Sequence, residues 1–358
     1  MSPDIDPVGL LHGMLAIPSP SGAETTLAWF LRDRLHAAGL SARVDDVGNL
    51  VLRTGTGEGP TILLLGHLDT VRDEIAGPVP VRRQHGVLHG RGAVDAKSPL
   101  AAMLCAAAAR RAFPGTLLVV GAVGEETEES PGAWHLTRTL AAPQVVVIGE
   151  PSGWSGITLG YKGQLMVEYE VTCPSAHSAH PGAKAAHLAG EFWQAVAERF
   201  PAVDPGEGLF HHTTATLLRA SGTITHARLR VDLRTAPGTD PDGLLAWLAE
   251  RAHPGKVRAT SSVPAVVGRR STPLARAFAA AVRKHGGTPT FKVKTGTSDM
   301  NVVAGSWPVP MVAYGPGDSS LDHAPNEQVS EREYLRGIQV LGSALDTLPA
   351  LLDTGSGR

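Results

Sequence analysis

The chain has 358 residues, enough for two domains. Hydrophobic residues make up 42% and charged residues 18%, and 32 Lys plus Arg against 34 Asp plus Glu leave a formal charge of −2. That composition is ordinary for a globular protein and excludes a whole-chain basic field for nucleic acid and a polybasic membrane anchor. Two cysteines, Cys105 and Cys173, exclude a disulfide framework and a Cys-rich zinc module, but leave a metal held by His and carboxylates open. Residues 1–18 show Asp4 and Asp6 and no basic segment followed by a long apolar core, so the expected compartment is the cytoplasm. The longest apolar run, 99–109, is too short for a bilayer and reads as a buried helix.

Taken in order, residues 5–39 read as helix, loop, helix, with Leu27, Phe30, Leu31 and Leu35 at helical spacing and Gly39 as the stop. Strands follow at 42–44 and 49–52. Residues 61–65, Thr-Ile-Leu-Leu-Leu, form a continuous apolar run that suits a strand buried on both faces of a parallel sheet. Residues 93–112 read as a loop and an Ala-rich helix, 116–123 as a second buried strand, 131–140 as a helix and 145–148 as a third buried strand. The predicted fold class is therefore α/β, a mixed, mostly parallel sheet flanked by helices. Near residue 160 the pattern changes. Leu165, Val167, Tyr169 and Val171 alternate with Met166, Glu168, Glu170 and Thr172, and Leu229, Val231 and Leu233 alternate with Arg228, Arg230, Asp232 and Arg234. These are half-exposed antiparallel strands. With helices at 185–199 and 241–252 and strands at 214–220 and 257–263, they make an α+β insertion. The expected boundaries are 1–160 and 269–358 for the first domain and 161–268 for the inserted one. Helices at 273–286 and 331–348 and a strand at 310–314 complete the chain, and the tail 354–358 is expected to fray.

Five places put acidic residues or His at strand ends or in Gly-rich loops, where open α/β sheets bind ligands. In Gly66-His67-Leu68-Asp69, His67 and Asp69 share one side of an extended backbone, the arrangement in which a carboxylate orients a metal-binding imidazole. A strand-end His followed by a capping Asp reads equally well there. Asp95, between Gly90-Arg91-Gly92 and the Ala-rich run, is either a ligand or a helix N-cap. Glu125 and Glu126 repel each other unless a cation or proton intervenes, or else belong with Glu128 and Glu129 to a solvated acidic loop. Glu150 ends an apolar strand, where a salt-bridge partner is the plain alternative. His323 lies in a polar loop, where surface His is common. Together they supply two His and three or more carboxylates, a donor set for two divalent ions with one bridging carboxylate.

These motifs, with Gly149-Glu150-Pro151 and Asp322-His323-Ala324-Pro325-Asn326-Glu327, match in order those of the co-catalytic di-zinc exopeptidases and deacylases, among them aminoacylase, acetylornithine deacetylase, succinyl-diaminopimelate desuccinylase and glutamate-releasing carboxypeptidases. The resemblance covers essentially the whole chain. It implies a zinc-exopeptidase-like fold with an inserted lid and dimerisation domain, and a homodimer formed through that domain. It implies that His67, Asp95 and Glu150 hold one divalent ion and Asp95, Glu126 and His323 the other, both ions being zinc, with cobalt as the alternative metal. Asp69 would orient His67, Glu125 would be the general base, and Asp95-Ala96 would be a cis peptide. In the insertion, His177 matches the lid His that reaches the oxyanion, with His180 as competitor. Arg234 matches the Arg that binds a substrate carboxylate, and Thr297 and Ser298 lie in a matching substrate loop. Many relatives carry an Asn before the strand ending in that Arg; here 222–227 has none, and either His226 or nothing replaces it.

A narrower similarity rests on Gly90 to Lys97, Ile157 to Gly163 and Lys294 to Asn301. It points to the branch that releases lysine or ornithine from the γ-carboxyl of the C-terminal Glu of a small acidic amino-group carrier protein, in lysine or arginine biosynthesis. Ser98 stands where that branch often has Gly. An acidic partner implies a basic rim, with Arg82, Arg83, Lys162 and Lys184 as candidates. The competing readings are an N-acyl-amino-acid deacylase or dipeptidase on the same fold, and a non-catalytic metal-binding dimeric relative.

Overall fold

The computed structural model describes residues 5–72, 77–204 and 208–353; the 354–358 tail, expected to fray, lies outside them. The chain divides into two compact units, one of residues 1–160, 268–292 and 298–358, the other of 161–267 and 293–297. The helices in chain order are α1 (Pro7–Leu15), α2 (Thr25–Ala37), α3 (Lys97–Ala108), α4 (Pro131–Thr139), α5 (Ala185–Arg199), α6 (Pro241–Arg251), α7 (Pro273–Lys284), α8 (Asp299–Ala304) and α9 (Glu331–Asp353). The strands needed below are β1 (Ala42–Val44), β2 (Leu50–Thr54), β3 (Thr61–His67), β4 (Arg82–Gln84), β5 (Val87–His89), β6 (Thr116–Ala122), β7 (Val145–Ile148), β8 (Gly156–Tyr161), β9 (Gly163–Thr172), β10 (Thr214–Gly222), β11 (His226–Thr235), β12 (Lys256–Val263), β13 (Met311–Ala313) and β14 (Gln328–Ser330).

The first unit is built on a sheet ordered β1-β2-β6-β3-β7-β13-β8. Its centre is parallel: β3 pairs with β6 on one side and β7 on the other, and β7 pairs with β13. Ile62, Leu63, Leu64 and Leu65 are buried along β3, as a strand covered on both faces requires. The apolar helix α3 is buried almost from end to end. The registers Leu65 to Ile148 and His67 to Ala122 bring the C-terminal ends of β3, β6 and β7 level, and that level carries the candidate site.

In the second unit the antiparallel order is β10-β11-β9-β12. Val167, Tyr169, Leu229, Val231 and Leu233 form one core cluster with Phe192 of α5 and Leu244 and Leu248 of α6. The expected alternation holds, except that Met166 and Asp232, on the polar side of the pattern, are also buried. Three strands of three residues, β4, β5 and β14, form a small separate sheet in the order β14-β5-β4 that the sequence reading does not anticipate. They are too short for any periodicity to register. Among the described residues, no helix is long and apolar enough to cross a membrane.

Leu64 is fully buried between two partner strands. Leu64→Ala is expected to cost about 2–5 kcal/mol, read as a lower midpoint in equilibrium denaturation; an unchanged midpoint contradicts this placement of the core.

Candidate active site

The parallel centre of the first unit delivers its polar side chains to one edge. His67 is the last residue of β3, and Glu125 and Glu126 follow β6 after a turn at Gly124. Glu150 follows β7, and Asp95 ends the loop that leads into α3. His323 comes from the turn before β14, with its backbone in the left-handed region at φ 59°, uncommon for a residue other than Gly and a way to turn the chain sharply. The Asp95-Ala96 peptide is cis.

Asp95 sits between the two rings. One carboxylate oxygen lies 3.2 Å from His67 Nε2 and the other 3.2 Å from His323 Nε2. Glu150 reaches within 3.7 Å of His67 Nε2, and Glu126 within 3.0 Å of His323 Nε2. Two groups of potential ligand atoms stand out. In each, every atom lies within 4.8 Å of the others: His67, Glu125 and Glu150 in one, and Asp95, Glu126 and His323 in the other. Ligand atoms at about 2.1 Å from a shared tetrahedral ion lie about 3.4 Å apart. The N–O separations therefore fit a divalent cation without rearrangement of the side chains, and the N/O donor set is one that such ions take. Glu125, expected as the general base and not as a ligand, falls inside the first of these groups, whereas Asp95 falls in the second.

Burial alone would push the His67 ring down, but hydrogen bonds with Asp69 and Asp95 and the charge of Glu125 lift it well above the usual histidine range. Asp95 and Glu126 hold His323 up at about 10. Burial, reinforced by Glu150, Asp299 and Glu126, pushes the Glu125 carboxyl well up, and burial with the neighbouring Asp95 raises Glu126. Carboxylates this crowded away from water require positive charge among them.

Asp69 is fully buried. Its carboxylate accepts from the backbone N–H groups of Glu125 and Glu126, each at 3.0 Å, and from the Ser21 hydroxyl at 2.8 Å. His67 Nδ1 lies 3.0 Å from the Asp69 carbonyl and 3.5 Å from its carboxylate. The shorter His67 contact is thus with the Asp69 backbone, while the Asp69 carboxylate ties down the loop that carries Glu125 and Glu126.

The sequence reading assigns no role to Glu327, which is fully buried. Its carboxylate accepts from the N–H of Val94 at 2.8 Å and of Asp95 at 3.0 Å, and pairs with Arg91 at 2.8 Å. It ties the His323 loop to the Asp95 loop. The only signal was its place at the end of the Asp322 to Glu327 motif, because backbone donors leave no side-chain pattern.

In the second unit, Arg234 donates from Nε to Asp232 at 2.9 Å and from Nη1 to Thr297 Oγ1 at 2.9 Å, and Asp232 also accepts from Gln164 at 3.0 Å. Ser298, in the first unit, is the N-cap of α8 in a capping box with Asn301. His177 and His180 lie in the exposed loop after β9, where each ring Nδ1 accepts a backbone N–H two residues on. His226 is exposed, 3.6 Å from Glu170. Two expectations about the basic rim fail. Lys162 is fully buried with its ammonium on the His212 carbonyl and Thr214 hydroxyl, and Lys184 is buried with its ammonium on the His180 and Gly182 carbonyls. A buried ammonium must be hydrogen-bonded, and both lysines serve their own loops. Arg83, by contrast, is exposed and pairs with Glu331.

Because Glu327 holds the backbone that presents Asp95, Glu327→Ala is expected to weaken divalent-ion binding about 10- to 100-fold. Titration calorimetry with a competing chelator reads this directly; wild-type affinity contradicts it.

A model of Peptidase family M20/M25/M40 matches residues 63–347. A LysW-lysine hydrolase of Deinococcus radiodurans is 42% identical over 95% of this chain and 96% of its own length. A LysW-lysine/LysW-ornithine hydrolase of Saccharolobus islandicus is 28% identical over 95% of each chain. Among solved structures, the M20 family metallo-carboxypeptidase Sso-CP2 of Sulfolobus solfataricus superposes with a TM-score of 0.81 at 17% identity, over 97% of this chain and 100% of that one, a likeness of fold. The family match and the 42% relative together settle the assignment: the chain belongs to peptidase family M20/M25/M40, whose members are metal-dependent hydrolases.

Proposed function

We propose that the protein hydrolyses the amide joining lysine or ornithine to the γ-carboxyl of the C-terminal Glu of a small acidic amino-group carrier protein. The observation that carries the chemistry is Asp95 with one oxygen 3.2 Å from each ring. The names of the two hydrolase relatives support the substrate.

In this reading His67, Asp95 and Glu150 hold one divalent ion and Asp95, Glu126 and His323 the other, with zinc assigned for its preference for N and O donors and cobalt as the substitute. When bound, such ions polarise the scissile carbonyl and acidify the attacking water. Glu125 takes the proton from that water and returns it to the departing amine nitrogen. Burial and neighbouring acids push the Glu125 carboxyl up, and the two cations would offset them and leave it ionised to accept that proton. Asp69 keeps Glu125 in place through its backbone N–H. His177 is assigned to donate to the oxyanion, and Arg234 and the Thr297 and Ser298 loop to bind a substrate carboxylate. Asp232 and Thr297 hold two edges of the Arg234 guanidinium, which fixes the plane of the fork.

The two free cysteines are in keeping with a cytoplasmic setting. A homodimer through the second unit is supported by its exposed edge strand β10, which carries Leu218 at 52% exposure.

Glu125→Ala is expected to lower hydrolysis by about 10²–10⁴-fold with bound metal unchanged, measured by mass spectrometry of carrier protein bearing γ-linked lysine. Wild-type turnover in that variant overturns the base assignment, and no mass loss with the wild type beside fast acetate release from acetylornithine overturns the substrate. Arg234→Lys is expected to raise KM for the same substrate about tenfold or more. An unchanged KM removes Arg234 from substrate binding.

A further inference from the structure

We propose that the polar face of the β10-β11-β9-β12 sheet is the docking surface for an acidic protein, the carrier whose C-terminus is cleaved. This rests on the substrate reading above and adds the place where the body of that substrate sits.

Strand geometry sets the face. Residues two apart share a side, so Arg228, Arg230, Asp232 and Arg234 line the side of β11 opposite the helices. Their partners across the sheet lie on the same side. Arg219, Arg230, Glu168 and Arg258 form one row; Ser221, Arg228, Glu170 and Lys256 form the next. Of these eight positions five are cationic and two acidic, a local surplus on a chain whose formal charge is −2. The side chains of Arg228 and Arg258 are 54% and 69% exposed even though each pairs with an acid, Arg228 with Glu170 at 2.8 Å and Arg258 with Glu168 at 2.5 Å. Such exposed pairs contribute little to folding and leave the cations accessible.

Strand position connects this patch to Arg234, with the buried Asp232 between them on β11. The charged rows stand on the same strand face as Arg234, the residue assigned to a substrate carboxylate. At about 3.4 Å per residue, Arg230 is roughly 14 Å and Arg228 roughly 20 Å along β11 from Arg234. A chain end held at Arg234 would lay the body to which it is attached over these rows. A free acylated amino acid is too short to reach them.

The pattern also selects the partner. Glu168 and Glu170 alternate with the cations in both rows. A phosphodiester backbone, uniformly negative, would be repelled at each, whereas an acidic protein surface carrying some basic residues can satisfy both signs. Docking of this kind is electrostatic and weakens with salt, since at physiological ionic strength charges are screened over about 8 Å.

The test compares two substrates in one buffer: intact carrier protein bearing γ-linked lysine, and a short peptide of its C-terminus with the same linkage. The variants are Arg219→Glu with Arg230→Glu, and separately Lys256→Glu with Arg258→Glu, all in the full chain. Each is expected to raise KM for the intact protein about tenfold or more at low salt, leave peptide hydrolysis within about twofold of wild type, and flatten the salt dependence of KM. Peptide turnover in the variants also reports that they are folded. Wild-type kinetics on both substrates overturns the docking surface while leaving the substrate reading intact. Equal losses on both substrates, or a changed oligomeric state, assign these residues to the fold or to contacts between copies and overturn it. Duplex DNA bound by the wild type but not by the variants, with the KM for intact carrier unchanged in the variants, replaces the acidic protein with a nucleic acid. Wild type inactive on both substrates removes the substrate reading and this surface with it.

Discussion

The constraint on which the site depends is charge balance out of water. Asp95, Glu125, Glu126 and Glu150 meet at one edge of a parallel sheet, and negative charges so close and so poorly hydrated cannot coexist unaided. The fold answers in two ways. Asp69 and Glu327 are quenched by backbone N–H groups, together with Ser21 in one case and Arg91 in the other, and become struts. Asp95, Glu126 and Glu150 instead face the His67 and His323 rings across distances that suit cations shared among them. The division separates residues that build the loops from residues that those loops present.

Much of this was legible in the amino-acid order because its cause is local. A run of four apolar residues needs cover on both faces, and β3 and β7 have it. Strict alternation in residues 165–172 and 228–234 marks strands with one wet face, and both lie in a sheet backed by helices. The metal-family motifs stand at strand ends because only there do parallel strands release side chains to a common edge. What could not be read has equally physical reasons. Strands β4, β5 and β14 are shorter than two periods of alternation. The capping box that starts α8 uses Asn301 where a longer Glu or Gln is usual. Lysines 162 and 184 look like surface cations until their carbonyl partners, set by loop conformation, are known. Glu327 binds main-chain donors, which every sequence has.

The two units carry different kinds of work. The first supplies the side chains proposed as metal ligands and base, and the struts that fix their loops. The second supplies the Arg234, Asp232, Gln164 and Thr297 hydrogen-bond chain and a sheet face rich in arginine. The proposed chemistry rests on side chains fixed by the parallel sheet of the first unit, and the proposed docking surface on a sheet face whose charge can change without disturbing it. This is why the reaction class follows from five short motifs, while the proposed substrate rests on the narrower similarity at residues 90–97, 157–163 and 294–301 and on the named relatives.

The proposed site stands on a pair of divalent ions sharing Asp95 as a ligand. Metal content per chain, measured after equilibrium dialysis against zinc for the wild type and for Asp95→Ala, tests it most directly. Two ions in the wild type, falling to one or none when the shared ligand is removed, is the predicted result. A single ion in the wild type, or two retained at unchanged affinity without Asp95, would contradict it.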